Sequence, residues 1–251
     1  MPSRIHRRTS RLLGACGLLG SVFLAACGGG SSSASVAPPP GTTFPLQSAL
    51  STLLASGYTK SASATGIATY QGTSYPITGS LSLSFAPLST TAVVFEGLSA
   101  VSSTQAVSGS VSLLGQTLSV SSSQLVYFTP TLQPLGFTAS GQYCVAAAPG
   151  TYPASVQVGD SGSIVHYDCW SDATKTSATG SVSVGYKVTT AYSTTTATVA
   201  LTEVSFDTGG QVTTSETDNY IIDTGGALYL ASGILSGTTS GVVLNLQYTT
   251  Q

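Results

Sequence analysis

The chain has 251 residues and a formal net charge of −2, and only 6% of its residues are Asp, Glu, Lys or Arg, against about 25% in ordinary soluble domains. Serine (41 residues) and threonine (36 residues) together make up nearly a third of it. So few charges exclude a coiled coil and provide no basic patch for nucleic acid. The hydrophobic content of 41% excludes a disordered chain, which leaves a Ser/Thr-rich β protein with one apolar core.

The first 26 residues have the layout of an export signal. Four arginines within the first eleven residues form a basic start, and residues 12–24 then form an apolar run. That run is too short for a bilayer-spanning helix, which takes about 20 residues, and it is typical of a secretory signal. We therefore expect residues 1–26 to be removed from the mature protein.

The predicted signal ends in Leu24-Ala25-Ala26-Cys27-Gly28. One apolar and two small residues before a cysteine resemble the lipobox of bacterial lipoproteins. The resemblance implies a diacylated Cys27 thiol, cleavage before Cys27 and acylation of the new amino terminus. In that family an Asp after the cysteine retains the protein in the inner membrane, so Gly28 implies the outer membrane, with the domain in the periplasm or at the cell surface. The open alternative is an ordinary cleaved signal in which Cys27 is incidental.

Residues 27–43 comprise the predicted lipidated cysteine and a Gly/Ser/Pro-rich tether, and a β domain follows over 44–251. The tether has a root-mean-square span of roughly 20–25 Å. The mature chain keeps three basic residues against nine acidic ones, a net charge of −6. Because an acidic domain gains little attraction to anionic lipid, the acyl chains are the expected contact with the membrane, and two or more of them bind stably.

One short helix is predicted at the start of the β domain. Pro45 suits a first helical turn and Gly57 suits a C-terminal stop. The leucines with helical spacing between them are Leu46, Leu50, Leu53 and Leu54. Because so short a helix is unstable alone in water, we expect its leucines to dock on a sheet.

Strand signatures follow from about residue 63 onward. Apolar residues alternate with polar ones over 80–85, 110–113 and 180–188, which is typical of antiparallel strands with one wet face. About eleven such strands predict an all-β domain, built as an antiparallel meander, a sandwich or a half-barrel with the one N-terminal helix. A faint internal repeat permits two related halves with a boundary near residues 130–153.

Cys144 and Cys169 are the two cysteines of the β domain. An even pair in an exported protein predicts a disulfide, and a loop of this length contributes roughly 3.5 kcal/mol of stability. The bridge is expected to fix an irregular crossover to a strand over residues 164–170, and two buried thiols are the alternative. No metal site is predicted, because the mature chain has one histidine and no further cysteine.

Two kinds of motif are similar to catalytic sequences, and we interpret both as turns. The Gly-Asp-Ser-Gly sequence at 159–162 resembles the nucleophile loop of trypsin-like serine proteases, but His166 follows the serine instead of preceding it. Asp207-Thr208-Gly209 and Asp223-Thr224-Gly225 resemble the motifs of aspartic proteases, yet each is followed by a second glycine and suits a hairpin turn. We predict no catalytic residue and no cofactor.

The weak binding candidates are His166, Tyr167, Asp168 and Trp170. His166 and Asp168 share a strand face, and a calcium site with Asp160 or Asp172 is a less favoured alternative to solvated turn residues. Tyr167 and Trp170 offer aromatic surface for a sugar or peptide, whereas the simpler interpretation packs Trp170 on the disulfide.

The layout also resembles a group of small Ser/Thr-rich β-domain lipoproteins of Gram-negative bacteria to which no activity is assigned. The shared features are the Leu-rich helix at 46–54, the Gly-Asp-Ser-Gly turn and a final meander over Val242–Tyr248. The resemblance implies an envelope location and a β fold. The sequence thus favours a non-catalytic structural or binding module with an unidentified protein or glycan partner. A periplasmic hydrolase around Ser161 and a chaperone-like assembly accessory are the alternatives.

Lipidation at position 27 is directly testable. We expect cells that produce the full chain to incorporate labelled palmitate into it, because the lipobox cysteine carries the acyl chains. Cys27→Ala should abolish the label, and the control Cys16→Ala should retain it. An unlabelled wild-type protein, or a precursor whose processing is insensitive to globomycin, contradicts the prediction.

Overall fold

The computed structural model describes residues 37–239 and 241–251. The predicted signal, Cys27 and the tether before residue 37 lie outside the described residues, so lipidation stays a prediction. Phe44 is fully buried and forms an antiparallel bridge with Val156. Phe44 is therefore attached to the segment around Val156 directly before the helix.

One helix and thirteen strands follow in chain order. The helix is α1 (Leu46–Ser56), and the strands are β1 (Tyr58–Tyr70), β2 (Thr73–Phe85), β3 (Val93–Phe95), β4 (Leu98–Leu113), β5 (Gln116–Phe128), β6 (Pro134–Ala139), β7 (Gln142–Ala146), β8 (Ser161–Trp170), β9 (Ala178–Thr190), β10 (Thr196–Phe206), β11 (Val212–Asp223), β12 (Leu228–Thr239) and β13 (Val242–Thr250).

The predicted helix is confirmed. Gly57 ends it with a φ of 65°, a left-handed conformation that glycine adopts without strain, and its N–H donates to the Leu53 carbonyl oxygen at 2.9 Å. Within the described residues, no helix has the length and apolar character that a bilayer crossing requires. The buried face of α1 consists of Leu46, Ala49, Leu50 and Leu54.

Twelve of the strands form a closed antiparallel barrel. Each strand from β4 to β13 pairs with its neighbours in the chain, β13 pairs with β1, and β2 pairs with β4 over nine residue pairs, from Ile77 with Leu113 to Phe85 with Gln105. The extra strand β3 pairs with the beginning of β4. The all-β prediction is confirmed, but the expected meander, sandwich or half-barrel of eleven strands is corrected, because the β2–β4 ladder joins the two ends of the sheet.

The apolar face of the strands lines the barrel interior. In β2, Leu81, Leu83 and Phe85 are buried, whereas Ser82 and Ser84 between them are half-buried. This is the alternation that the sequence predicted. Serine and threonine side chains therefore meet solvent on the outer face, where charged residues usually stand.

Residues 130–153 contain the short strands β6 and β7. Both belong to the continuous ladder, β6 between β5 and β7, and β7 between β6 and β8. The stretch that was expected to hold a boundary between two halves thus contributes two strands to the barrel wall. A division of the domain into two related halves stays a prediction.

The predicted disulfide joins Cys144 to Cys169. The two cysteines face each other directly in the register of β7 and β8, and each is at most 1% exposed. The bridge therefore ties two neighbouring strands from inside the barrel, and the expectation that it fixes an irregular crossover is corrected.

Loss of this bridge should weaken the fold. We expect Cys144→Ala/Cys169→Ala to lower the free energy of unfolding by roughly 3.5 kcal/mol, because the unfolded chain gains loop entropy. The melting temperature should fall by roughly 10 °C, as measured by thermal denaturation. Ser119→Ala/Ser121→Ala, at two exposed positions of β5, is the control and should melt like the wild type. An unchanged melting temperature in the double variant contradicts the prediction.

Candidate functional site

The four residues singled out near Cys169 do not form one site. Tyr167 points into the barrel, is 7% exposed and meets Phe137 edge to face with ring centroids 5.4 Å apart. His166 and Asp168 lie on the outer face, with Nε2 of the histidine 3.8 Å from Oδ1 of the aspartate. Because successive strand residues alternate between faces, Tyr167 is separated from its two neighbours by the barrel wall.

Trp170 also lies outside, in a surface cluster. It is opposite Tyr143 in the register, while the adjacent cysteines pair on the inner face. The Lys175 ammonium group lies 5.4 Å from the Trp170 ring centroid and forms an ion pair with Glu96, which accepts a hydrogen bond of 2.6 Å from the Tyr143 hydroxyl. The interpretation that packs Trp170 on the disulfide is therefore corrected.

Of the Gly-Asp-Ser-Gly sequence, Gly159 and Asp160 belong to a turn before β8, whereas Ser161 and Gly162 are the first residues of the strand. The Asp160 carboxylate accepts a hydrogen bond of 2.8 Å from the Gln157 N–H. His166 lies five residues beyond Ser161, roughly 17 Å along an extended strand, and its Nδ1 is 2.9 Å from the hydroxyl of Ser183. The structure thus does not bring Ser161 and His166 together.

The two Asp-Thr-Gly sequences form the turns at opposite ends of β11. Oδ1 of Asp207 accepts hydrogen bonds from the N–H groups of Gly209 and Gln211 at 2.8 and 2.9 Å. Oδ1 of Asp223 accepts one from Ala227 at 2.9 Å. Each carboxylate therefore closes its own hairpin turn, which is the predicted arrangement.

The acidic residues around β8 are likewise turn residues. Asp172 accepts a hydrogen bond from the Thr174 hydroxyl, which holds the pKa of Asp172 below its usual value. Its Oδ1 also accepts a hydrogen bond of 2.8 Å from the Thr174 N–H. Within residues 37–239 and 241–251, no group of three or more His, Cys, Asp or Glu side chains is placed to hold a metal ion.

A different site lies inside the barrel, where a cavity of about 110 Å³ extends beneath α1. Leu50, Leu53 and Leu54 of α1 form part of its largely apolar wall. An apolar cavity with a few convergent polar groups is the usual form of a small-molecule site. The polar residues that line it are Tyr58, Gln105, Gln124, Tyr127, Tyr152, Tyr167, Glu203, Asp218 and Tyr220.

Strands β10 and β11 place three carboxyl groups on the inner face of the barrel. Glu203 lies directly opposite Glu216 in the register, and Asp218 follows two residues later on the same face. All three are buried, with 7%, 4% and 4% of their surface exposed. Like charges directly opposite each other destabilise a pair of strands, so this arrangement costs stability whenever the groups are ionised.

Tyr248 reaches two of these carboxyl groups from β13. Its hydroxyl donates to Asp218 and lies 3.2 Å from Oε1 of Glu216. On the intervening strand β12, the residue under the ring is Gly233, and a Cβ atom at that position would overlap the ring. The missing side chain of Gly233 therefore allows Tyr248 to span two strands.

Glu203 has no comparable donor. Among the described residues, none donates a hydrogen bond to its carboxyl group. Burial raises the pKa of Glu203 well above its usual value, and the carboxylates of Glu216 and Asp218 raise it further. Burial also raises the pKa of Asp218 to about 6, although the Tyr248 hydrogen bond opposes this. Burial therefore favours the protonated form of both groups, and a positive charge beside them would favour the ionised form.

A second concavity, of about 700 Å³, lies on the outer face across β1 and β11–β13. Hydroxyl and amide side chains line it together with Ile67, Ile234 and Val243, and none of its lining residues is charged. The Ser215 hydroxyl oxygen in its wall is buried without a hydrogen-bond partner. This groove is therefore neutral, in contrast to the acidic interior.

Comparisons with known proteins do not identify a family. No family model matches the chain, and no curated protein matches it. A solved structure from Vibrio parahaemolyticus, described as an outer membrane lipoprotein-sorting protein domain, is similar with a TM-score of 0.24 and 11% identity, over 77% of this chain and 83% of that chain. At that TM-score the similarity carries no argument about this protein.

The interior carboxyl groups were not predicted from the sequence, although they occupy inward-facing positions of the two-residue alternation. Glu203 is in phase with the buried apolar residues of 197–201, and Glu216 and Asp218 are in phase with Tyr220. An acidic residue in phase with the apolar positions of a strand points inward. The alternation of inward and outward positions in β10 and β11, considered together, could therefore have located these acids on the inner face.

The raised pKa values predict that the fold loses stability as the pH rises. Glu203 and Asp218 bind protons more tightly in the folded than in the unfolded chain. The stability present below the unfolded pKa of about 4 is therefore lost as pH rises toward the folded pKa, which is about 6 for Asp218. We expect a melting temperature several degrees higher at pH 4.5 than at pH 7.5.

Glu203→Gln isolates the contribution of the buried carboxyl group. It should raise the melting temperature at pH 7.5 and reduce the difference between the two pH values, because a neutral amide replaces an ionisable group of the same size. The control Asp168→Asn changes an exposed carboxylate and should leave the pH profile as it is. A wild-type melting temperature that rises from pH 4.5 to pH 7.5 contradicts the prediction.

Proposed function

We propose that the protein is a non-catalytic binding module, anchored to the outer membrane through lipid on Cys27, and that its barrel holds a small ligand beneath α1. The cavity under α1 is the observation that supports this function. Eight strands already give a barrel whose interior side chains just fill it, so a barrel of twelve has room for a further occupant. Here α1 covers part of that room and leaves a cavity of about 110 Å³.

The contacts between α1 and the barrel are of a kind that a ligand entering the cavity can displace. Leu46 and Leu50 pack on inward-facing residues of β9–β11, including Val188, Val199 and Ile222. The helix contains no charged residue, and these contacts are non-directional. An apolar ligand can therefore replace some of them at small cost, since it buries the same kind of surface.

The size and lining of the cavity define the class of ligand. Drug-sized molecules occupy roughly 300–1,000 Å³, so the cavity beneath α1 suits a smaller compound. Leucine side chains line one part, and Glu203 and Asp218 line another. A short alkyl chain with one polar end group matches both parts.

The arrangement of the hydrolase candidates also supports a binding role. A serine nucleophile requires a base within hydrogen-bonding distance, whereas His166 is hydrogen-bonded to Ser183 on the strand beside it. The proposed envelope location rests on the lipobox-like sequence at residues 24–28. A protein or glycan partner of the anchored module is compatible with the hydroxyl-rich outer face.

Ligand binding is testable on the full chain extracted from membranes in detergent. We expect saturable one-site binding, in isothermal titration calorimetry, of at least one of three short amphiphiles: 1-hexanol, hexanoate and hexylammonium. Leu53→Trp places a larger side chain in the cavity wall and should abolish this binding. Ala55→Trp, on the exposed face of the same helix, is the matched control and should bind like the wild type.

Two results would refute the proposed function. One is that none of the three compounds binds to the wild type. The other is that Leu53→Trp and Ala55→Trp bind equally well, which would place the bound molecule outside the cavity or in the detergent. Thermal denaturation of both variants checks that they are folded.

A further inference from the structure

We propose that the polar end of the ligand is a primary ammonium group, which binds between the carboxylates of Glu203 and Asp218 inside the barrel. This inference rests on the proposed function, because it concerns the same cavity. It adds the chemical class of the ligand: a small alkylamine in its protonated form. The compound need not contain any other charged group.

The geometry around Glu203 calls for a hydrogen-bond donor. Its side chain is 7% exposed, lines the cavity and receives no hydrogen bond from the described residues. A buried carboxylate that receives no hydrogen bond is destabilised by the full free energy of its desolvation. An ammonium group carries three donors and no acceptor, and its hydrogen bonds to carboxylates are among the strong ones.

The charge around the cavity favours a cation over an anion. The charged groups that raise the pKa of Glu203 are both acidic, Glu216 and Asp218, and no lysine is among the groups that act on Glu203 or Asp218. Lys175 is engaged on the outer surface with Glu96. A ligand carboxylate would add a further negative charge to the same inner face, whereas an ammonium group offsets the cross-strand repulsion between Glu203 and Glu216.

An organic ammonium group fits better than a metal ion. The carboxyl groups of the described residues are not grouped to ligate one metal ion. The cavity wall is apolar on the side of α1, which suits an alkyl chain and provides no oxygen ligands. A hydrocarbon tail attached to the cation therefore uses both parts of the cavity.

Binding of an ammonium group should release protons from the protein. Glu203 and Asp218 must be ionised to pair with it, so each bound cation displaces protons that the free protein holds at pH 6. The tyrosines that face these groups, Tyr58, Tyr152, Tyr167, Tyr220 and Tyr248, have raised pKa values and stay neutral in this range. Affinity for the amine is therefore expected to increase from pH 5 to pH 8.

The test compares hexylammonium with 1-hexanol and hexanoate, which share its chain but not its charge. With the full chain in detergent, calorimetry should give hexylammonium at least a tenfold higher affinity than either compound. Titrations at pH 6 in buffers of different ionisation enthalpy should show net proton release. Glu203→Gln should weaken hexylammonium binding at least tenfold and reduce the proton release, whereas Asp168→Asn on the outer face should change neither.

The outcomes separate this inference from the proposed function. If 1-hexanol or hexanoate binds as tightly as hexylammonium and Leu53→Trp abolishes that binding, the cavity is a ligand site but the ammonium inference is overturned. Hexylammonium binding that is unaffected by Glu203→Gln also overturns it. If none of the three binds, both proposals fail. Because Glu203→Gln removes buried charge at constant size, its melting temperature at pH 7.5 shows whether the variant is folded.

Discussion

The ladder between β2 and β4 is the constraint on which the rest of the structure depends. Without it the strands would form an open sheet, with solvent on both faces at its edges. With it, the sheet closes into a wall whose inner face has no access to bulk water except at the ends. Closure thus creates two requirements: the interior of a wide barrel must be filled, and each polar group inside it needs a partner there. The helix α1 answers the first requirement in part.

The second requirement is met unevenly. Asp218 and Glu216 share the Tyr248 hydroxyl, which reaches them because β12 has no side chain at Gly233. Glu203 receives no hydrogen bond from the described residues, although it lies opposite a carboxyl group and almost entirely out of solvent. A structural core gains nothing from such a residue, because a leucine of similar size would stabilise the barrel more. Tyr248 contacts Asp218 and Glu216, whereas Glu203 receives no hydrogen bond from the described residues. This difference favours a functional role for Glu203.

The sequence predicted the features that depend on local spacing. Leucine spacing located α1, the period of two identified the inner faces, and paired cysteines in an exported chain indicated the bridge between Cys144 and Cys169. Closure could not be predicted, because β1 pairs with β13 from the far end of the chain and β2 pairs with β4 past the short strand β3. Alternation tells which face a residue occupies but not which strand lies beside it. The predicted packing of Trp170 on the disulfide was wrong. Because Trp170 directly follows Cys169 in a strand, the two side chains point to opposite faces of the barrel wall. The interior carboxyl groups could be predicted only when β10 and β11 were considered together.

The bridge between Phe44 and Val156 has a mechanical consequence under the proposed anchoring at Cys27. Its two backbone hydrogen bonds, of 2.8 and 2.9 Å, lie upstream of α1, and the Phe44 side chain is fully enclosed. Tension transmitted along residues 37–43 therefore enters the fold at this bridge and passes directly into the segment around Val156. The start of α1 shares this attachment, because the Leu46 N–H donates to the Phe44 carbonyl oxygen at 3.0 Å and the Gln47 N–H donates to the Ala154 carbonyl oxygen at 3.4 Å. If Cys27 is anchored as proposed, a pull on the tether would therefore act on the start of the same helix that covers the cavity.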